Sequence, residues 1–251
     1  MAMTRADGRG SDTLRPVVIE TGVQRFPEGS VMYSSGVTRV LVAASVDDYV
    51  QDFLRGSGKG WVTGEYQMHP RANPGRQRRE GRNGKLGGRT QEIQRLIGRA
   101  LRAAIRPELL GERTITIDCD VLDADGGTRT AAITGGYVAL VIALDGLRRK
   151  GLVKPGVLRD QVAAVSVGLC DGRPLLDLCY REDSTAQVDL NLVGSARGGL
   201  IEVQGTAEAE PMTREQHDAL VSLALGGVKT LCDEQNAALS AAGVDPTRLM
   251  G

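Results

Sequence analysis

Apolar and polar residues change period several times along the chain, and each change marks an element. Leu14–Glu20, Ser30–Ser34 and Thr38–Ser45 are strand-like runs separated by turn signals at Pro27-Glu-Gly and Ser35-Gly36, which predicts an antiparallel meander. Periodicity then lapses until Ile93, Leu96, Ile97, Ala100, Leu101, Ala104 and Ile105 recur at steps of three and four. Arg95, Arg99, Arg102 and Arg106 fall off that stripe, as on an amphipathic helix with Thr90 as its N-cap. Thr114–Val121 alternates strictly, with Ile115, Ile117, Cys119 and Val121 on one face and Thr114, Thr116, Asp118 and Asp120 on the other. After Thr130 the chain is apolar nearly all round as far as Leu144, the pattern of a helix buried on most sides.

A second strand group follows. Gln161–Leu169 and Pro174–Leu178 flank an Asp171-Gly172 hairpin turn, and Ala186–Val193 joins Leu200–Val203 across Ser195–Gly199. Thr213 with Gln216 forms a capping-box signature ahead of a long amphipathic helix through Leu220, Leu223, Ala224, Val228 and Leu231. Strands, helices, strands and a final helix, in that order, predict an α+β fold with mixed sheets. The 251 residues suit a single domain spanning 1–251, with about residues 1–10 and 239–251 as flexible ends.

Charge refines this picture locally. Lys plus Arg and Asp plus Glu balance at 31 each, so no net field draws in nucleic acid and any electrostatic function is local. The imbalance that does exist lies between residues 71 and 89, where Arg71, Arg76, Arg78, Arg79, Arg82, Lys85 and Arg89 face only Glu80. Such a loop can hold a polyanion by displacing its counterions, or can be a solvated face. The four cysteines, Cys119, Cys170, Cys179 and Cys232, form no CxxC pair and no zinc spacing, and read as reduced, buried thiols of a cytoplasmic protein. The N-terminus lacks the apolar core of a signal peptide, and no run reaches the ~20 apolar residues of a membrane span.

Two short motifs carry candidate chemistry. Gly87-Gly-Arg-Thr90 and Gly126-Gly-Thr-Arg-Thr130 each stand where a helix should begin. Glycine admits a ligand close to the backbone, a helix start offers unpaired N–H groups, and arginine adds a two-pronged donor, so the combination suits phosphate. Two tight turns with solvated arginines would read alike. Neither motif is a Walker A loop or a dinucleotide fingerprint. Glu182-Asp-Ser-Thr-Ala-Gln-Val-Asp189 places two carboxylates, Asp183 and Asp189, ~20 Å apart if extended. A turn at Ser184-Thr185 would bring them together as hard oxygen ligands of the kind Mg²⁺ takes. Asp118, Asp120, Asp123 and Asp125 read as turn-forming or arginine-bonding. With His69 and His217 the only histidines, no Ser/His/Asp or Cys/His arrangement suggests itself, whereas inorganic phosphate as nucleophile needs no strong protein base.

Together these motifs resemble the bacterial ribonuclease PH family of phosphorolytic 3′→5′ exoribonucleases. The resemblance runs from about Arg5 to Ala238 and rests on Gly60-Trp-Val-Thr63, Gly87-Gly-Arg-Thr-Gln-Glu-Ile-Gln-Arg-Leu-Ile-Gly98, Asp118-Cys-Asp-Val121, Asp125-Gly-Gly-Thr-Arg-Thr130, Glu182-Asp-Ser184 and Ile201-Glu-Val-Gln-Gly-Thr-Ala-Glu208. It implies the ribosomal-protein-S5-domain-2-like fold and a homohexameric ring of three dimers. By position it implies phosphate binding at Arg89, Gly127, Thr128 and Arg129, with Asp183 and Asp189 holding catalytic Mg²⁺ and Arg89 and Arg129 sharing in catalysis. RNA contact falls to Arg71, Arg76 and Arg79, with Arg78 adjacent. The implied activity trims tRNA precursors at their 3′ ends with phosphate as co-substrate, releasing nucleoside diphosphates reversibly, with RNA rather than DNA or membrane as partner. A non-catalytic RNA-binding ring subunit of the same fold is the alternative. His69, where relatives commonly have an aliphatic residue, and Gln187-Val188, replacing a commonly more acidic pair before Asp189, depart from the family pattern.

Overall fold

The computed structural model describes residues 5, 7–80, 84–208 and 210–251. Among the described residues, nine strands form two sheets. In the first, β1 (Val17–Thr21), β2 (Gly29–Ser35) and β3 (Thr38–Asp47) make the expected meander. The sheet continues through β5 (Thr114–Asp123) to β4 (Trp61–Met68) in the order β1-β2-β3-β5-β4, all antiparallel except the β4–β5 pair. Parallel neighbours need a crossover. It is supplied by α1 (Gly88–Ala103), followed by the short α2 (Pro107–Leu110).

Strand β4 escapes a periodicity reading because one of its inward positions is Gly64. A Cβ there would stand 2.6 Å from Ile97 Cγ2 of α1, so close helix packing removes an apolar residue from the pattern. Thr90 is likewise not a cap: α1 begins at Gly88 after Gly87, and Thr90 is buried within its first turn.

The second sheet is antiparallel, with β6 (Val162–Cys170), β7 (Arg173–Leu176), β8 (Val188–Ser195) and β9 (Leu200–Ala207) in the order β7-β6-β8-β9. The β6–β7 hairpin turns at Asp171 and Gly172, both at positive φ as an Asp-Gly turn requires. A four-residue helix, α4 (Tyr180–Asp183), links β7 to β8. The expected capping box is present: Thr213 Oγ1 accepts the Gln216 N–H at the start of α5 (Arg214–Ala241).

Helix α3 (Thr128–Arg149) is the centre of the molecule. It is long and apolar enough to cross a membrane, yet 89% of that apolar window is buried within the protein. One side packs on β2, β3 and β5, another on β6. Alternation in β6 follows from this double cover: Val162 and Ala164 join the core around α3, while Ala163, Val165 and Val167 join Leu220, Ala224 and Leu231 of α5 on the opposite face. Gln235, fully buried, ties the layers by donating to Thr134 O and Val162 O at 3.0 and 2.9 Å.

The C-terminal end, expected to be flexible, packs against the body, whereas residues 1–4 and 6 at the other end lie outside the described residues. Residues 239–241 belong to α5, and Leu249 is fully buried with its carbonyl accepting the N–H groups of Gly156 and Leu158. Arg5 is buried near the other end. Of the cysteines, all free, Cys119 and Cys232 are buried as expected but Cys170 and Cys179 are only half-buried.

Candidate active site

The N-terminus of α3 overhangs the second sheet, and there a cavity of about 1030 Å³ opens between the two sheets. The turn from β5 into α3 carries Gly126 and Gly127 at φ 77° and 68°, a conformation only glycine adopts without cost. A Cβ on Gly126 would also lie 2.5 Å from Leu178 O. Gly127 caps α3 with no side-chain bond, and Gly87 caps α1 in the same way, so both helices begin without side-chain caps beside the cavity. Unpaired N–H groups at a helix start, with the dipole behind them, favour an anion.

Arg89, in the first turn of α1, and Arg129, in the first turn of α3, both line the cavity. Arg129 is held by Gln204 Oε1 at 3.2 Å and Glu92 at 3.5 Å. Arg89 is exposed and has no protein partner among the described residues. Tyr66 braces this corner from below, its buried hydroxyl 2.8 Å from Thr128 Oγ1. Every residue of the expected phosphate site is thus on one wall.

The carboxylates stand opposite. Asp183 ends α4, the chain turns at Ser184 and Thr185, and β8 brings Asp189 back beside it. Both line the cavity, as the turn predicts. Asp189 shares a face with Asn191, whose Nδ2 donates at 3.4 Å to both carboxylate oxygens, while Val188, Leu190 and Leu192 face α5. Burial, reinforced by Asp183, pushes the Asp189 carboxyl up to about 6; Arg129 and Asn191 oppose the shift. Burial also raises Asp183, against the pull of Arg89 and Arg129. Two desolvated carboxylates facing two guanidiniums can hold a hard cation between themselves and a bound anion.

An arginine network behind the site was not visible in the sequence. Arg5, its side chain 3% exposed, grips Glu182 with Nε and Nη2 at 2.8 and 2.7 Å and donates to Leu176 O and Asp177 O. Glu182 precedes Asp183 and caps the Cys179 N–H at 3.0 Å, so Arg5 fixes the turn that presents the carboxylate. Burial raises the Glu182 carboxyl, but the Arg5 and Cys179 hydrogen bonds outweigh it and leave the group below its usual value. Arg15 pairs with Asp177 at 2.7 Å and donates to the carbonyls of Asp125 and Gly126, which supports the glycine turn. Arginines spaced along an irregular N-terminus carry no periodic signal; only their partners reveal them.

The acidic cluster on β5 splits. Asp123 pairs with Arg39 at 2.6 Å and Asp125 Oδ1 accepts the Tyr180 N–H at 3.1 Å, as bonded turn residues should. Asp118 and Asp120 instead line a separate 250 Å³ depression with Glu65 and Gln94. Among the described residues no three His, Cys, Asp or Glu gather to ligate a metal. The basic loop divides as well. Arg71 and Arg78 line the cavity, Arg76 and Arg79 are exposed outside its lining, and Arg82 lies outside the described residues. Its lone acid, Glu80, turns back to accept the Gly87 N–H at 3.1 Å. His69, the departure from the family pattern, sits at the loop entrance, where its Nδ1 accepts the Arg71 N–H at 3.3 Å.

Comparison with known proteins identifies the family. The family model described as 3′ exoribonuclease family, domain 1, matches residues 13–144, and that of domain 2 matches residues 160–227. The chain belongs to the 3′ exoribonuclease family. A ribonuclease PH from Methylobacterium radiotolerans is 55% identical over 236 residues, covering 94% of this chain and all of that protein. The fold is shared with rice (Oryza sativa) Rrp46 at a TM-score of 0.76 and 20% identity, covering 94% of this chain and all of that one. An Archaeoglobus fulgidus exosome structure with RNA bound to the active site matches at 0.74 and 21% identity over 92% of each chain. In this 3′ exoribonuclease, the first family segment supplies the glycine–arginine wall and the second the Asp183–Asp189 wall, so the cavity lies on the seam between them.

Proposed function

We propose that the chain is a phosphorolytic 3′→5′ exoribonuclease that trims the 3′ ends of tRNA precursors. The observation that carries this reading is the convergence, in a member of that family, of two uncapped helix starts bearing Arg89 and Arg129 with the paired carboxylates Asp183 and Asp189 in one cavity. Gly127, Thr128, Arg129 and Arg89 hold inorganic phosphate. One of its oxygens attacks the last internucleotide phosphorus in line, and the bond to the shortened chain's 3′ oxygen breaks, releasing a nucleoside diphosphate. The two arginines offset the repulsion between two anions and stabilise charge in the transition state. Asp183 and Asp189 fit Mg²⁺, which typically takes one or two carboxylates, waters and substrate phosphates; bound there, the ion would supply Lewis-acid neutralisation of the phosphoryl oxygens. Because a phosphodiester bond is exchanged for the phosphoanhydride of the diphosphate and is not hydrolysed, the reaction runs backwards when diphosphates are abundant. A non-catalytic ring subunit would have no need of both walls. The same reading includes a ring of six chains, for which the exposed Phe26, Tyr49 and Phe53, none of them in the cavity lining, offer surface to cover; a single-chain mass in solution would reject it.

The test is product identity. With a short oligoribonucleotide and Mg²⁺, nucleoside diphosphates are expected only when phosphate is present. Monophosphate release in phosphate-free buffer would show hydrolysis and overturn the reading.

The loop arginines separate by position. Replacing Arg76 and Arg79 with Ala is expected to weaken binding of a tRNA precursor and flatten its salt slope by about 0.7 for each single-strand phosphate that is no longer neutralised. Phosphorolysis of a trinucleotide is expected to stay unchanged. Arg71→Ala and Arg78→Ala, on the cavity wall, are expected to slow both substrates. Equal effects for the two sets would remove the distinction.

A further inference from the structure

We propose that Tyr180 is a nucleobase-stacking platform at the active site, a deepening that rests on the exoribonuclease reading. Phosphate and carboxylate walls engage only the backbone of a nucleic acid. A cavity of about 1030 Å³ is at the upper end for ligand pockets and leaves most of its volume to sugar and base. Two aromatic side chains line it among the described residues. Tyr66 is 2% exposed and committed to Thr128, whereas Tyr180 is 64% exposed.

The backbone of Tyr180 is held on both sides while its side chain stays exposed. Its N–H is held by Asp125 Oδ1 at 3.1 Å, and its carbonyl accepts the Ser184 N–H at 2.9 Å. Gly126 packs so closely that a Cβ there would lie 2.9 Å from Tyr180 N. Three residues later the same helical turn ends in Asp183. The ring is therefore rooted between the phosphate turn and the carboxylate, with its faces open to solvent. Val37, 66% exposed, adds apolar surface to the same cavity. Stacking suits this enzyme because every base presents a π-face, so affinity is gained without choosing a sequence. An enzyme that removes successive nucleotides needs that indifference.

The experiment compares wild type, Tyr180→Ala and Tyr180→Phe on a short oligoribonucleotide, with KM measured separately for RNA and for phosphate. It then repeats the comparison with oligonucleotides abasic at the terminal or the penultimate position. Tyr180→Ala is expected to raise the RNA KM roughly 5- to 150-fold, the range set by losing one stacked base. Phosphate KM and Tm stay unchanged, and Tyr180→Phe behaves as wild type. At one of the two positions base removal penalises wild type but adds nothing further to Tyr180→Ala. An unchanged RNA KM, a fall in kcat accompanied by a lowered Tm, or an abasic penalty of equal size in wild type and Tyr180→Ala would each overturn the proposal. Wild type releasing no diphosphate would instead overturn the exoribonuclease reading.

Discussion

Replacing Asp183 and Asp189 together with Asn is expected to abolish turnover, by about 10³-fold or more, while the protein stays folded. The loss follows because the amide keeps the shape of the carboxylate but not the charge a hard cation needs, and charge stabilisation of a phosphoryl transfer is worth several kcal/mol. The effect on stability has the opposite sign. Asp189 is carried from 3.8 to about 6 by burial and by Asp183. A carboxyl raised in the folded state disfavours the fold when ionised, so the penalty is present at neutral pH and fades as pH falls below about 6. A shift of that size is on the order of 2–3 kcal/mol. In chelator at pH 7.5 the Asn variants are therefore expected to melt at or above the temperature of wild type. Initial rates with phosphate and Mg²⁺, paired with thermal unfolding in chelator, check both halves. Substantial Mg²⁺-dependent turnover in the double variant would move the cation site, with Asp123 and Asp125 on the same cavity as the next candidates.

Asp177→Ala is expected to cost about 3–5 kcal/mol of stability, the usual penalty for leaving a buried charge unpaired. Arg15 is buried and gives Asp177 three bonds: Nη2 to Oδ1 at 2.7 Å, Nε to Oδ2 at 3.0 Å and its own N–H to Oδ2 at 2.8 Å. Asp177 also sits at φ 55°, where Asp and Asn are tolerated better than most residues, so Ala adds backbone cost. For a chain of this size each kcal/mol lowers Tm by about 2–4 °C, which predicts a drop of roughly 10 °C. Asp177→Asn, keeping shape and backbone preference, should lose less. Because Arg15 supports the carbonyls of Asp125 and Gly126, the phosphate KM of the Ala variant is expected to rise as well. Calorimetry and phosphate titration measure the two effects; a Tm within about 2 °C of wild type, the shift of less than one kcal/mol, would show that the pair is not buried in solution.

What the sequence made legible was what repeats. Strands β1, β2, β3 and β5, the helices α1, α3 and α5 and the second sheet announced themselves through periods of two or three to four residues and through turn residues such as Asp171-Gly172. Strand β4 stayed hidden because Gly64 gives up its side chain to Ile97, and α4 because four residues make only one turn. The two glycine–arginine motifs and the paired aspartates could be singled out by chemistry. Their meeting in one cavity depends on how β8 and α3 are stacked, which no local spacing encodes. Tyr180 was overlooked for a related reason: an isolated tyrosine in an irregular segment has no pattern, and only its position between two walls gives it meaning. The arginines at 5 and 15 belong to the same class, since their acidic partners lie 177 and 162 residues away.

That separation also bears on synthesis. Arg5 leaves the ribosome 177 residues before Glu182, while Asp189 is paired to both β6 and β9 and Arg129 is steadied by Gln204. The glycine turn and most of the first sheet can therefore form on a nascent chain that still lacks its carboxylate wall. Completion waits until the segment through β9 has emerged. A polypeptide stalled before α4 and β8 would carry the glycine–arginine wall without Asp183 and Asp189, so the cavity is completed only when the second sheet joins α3.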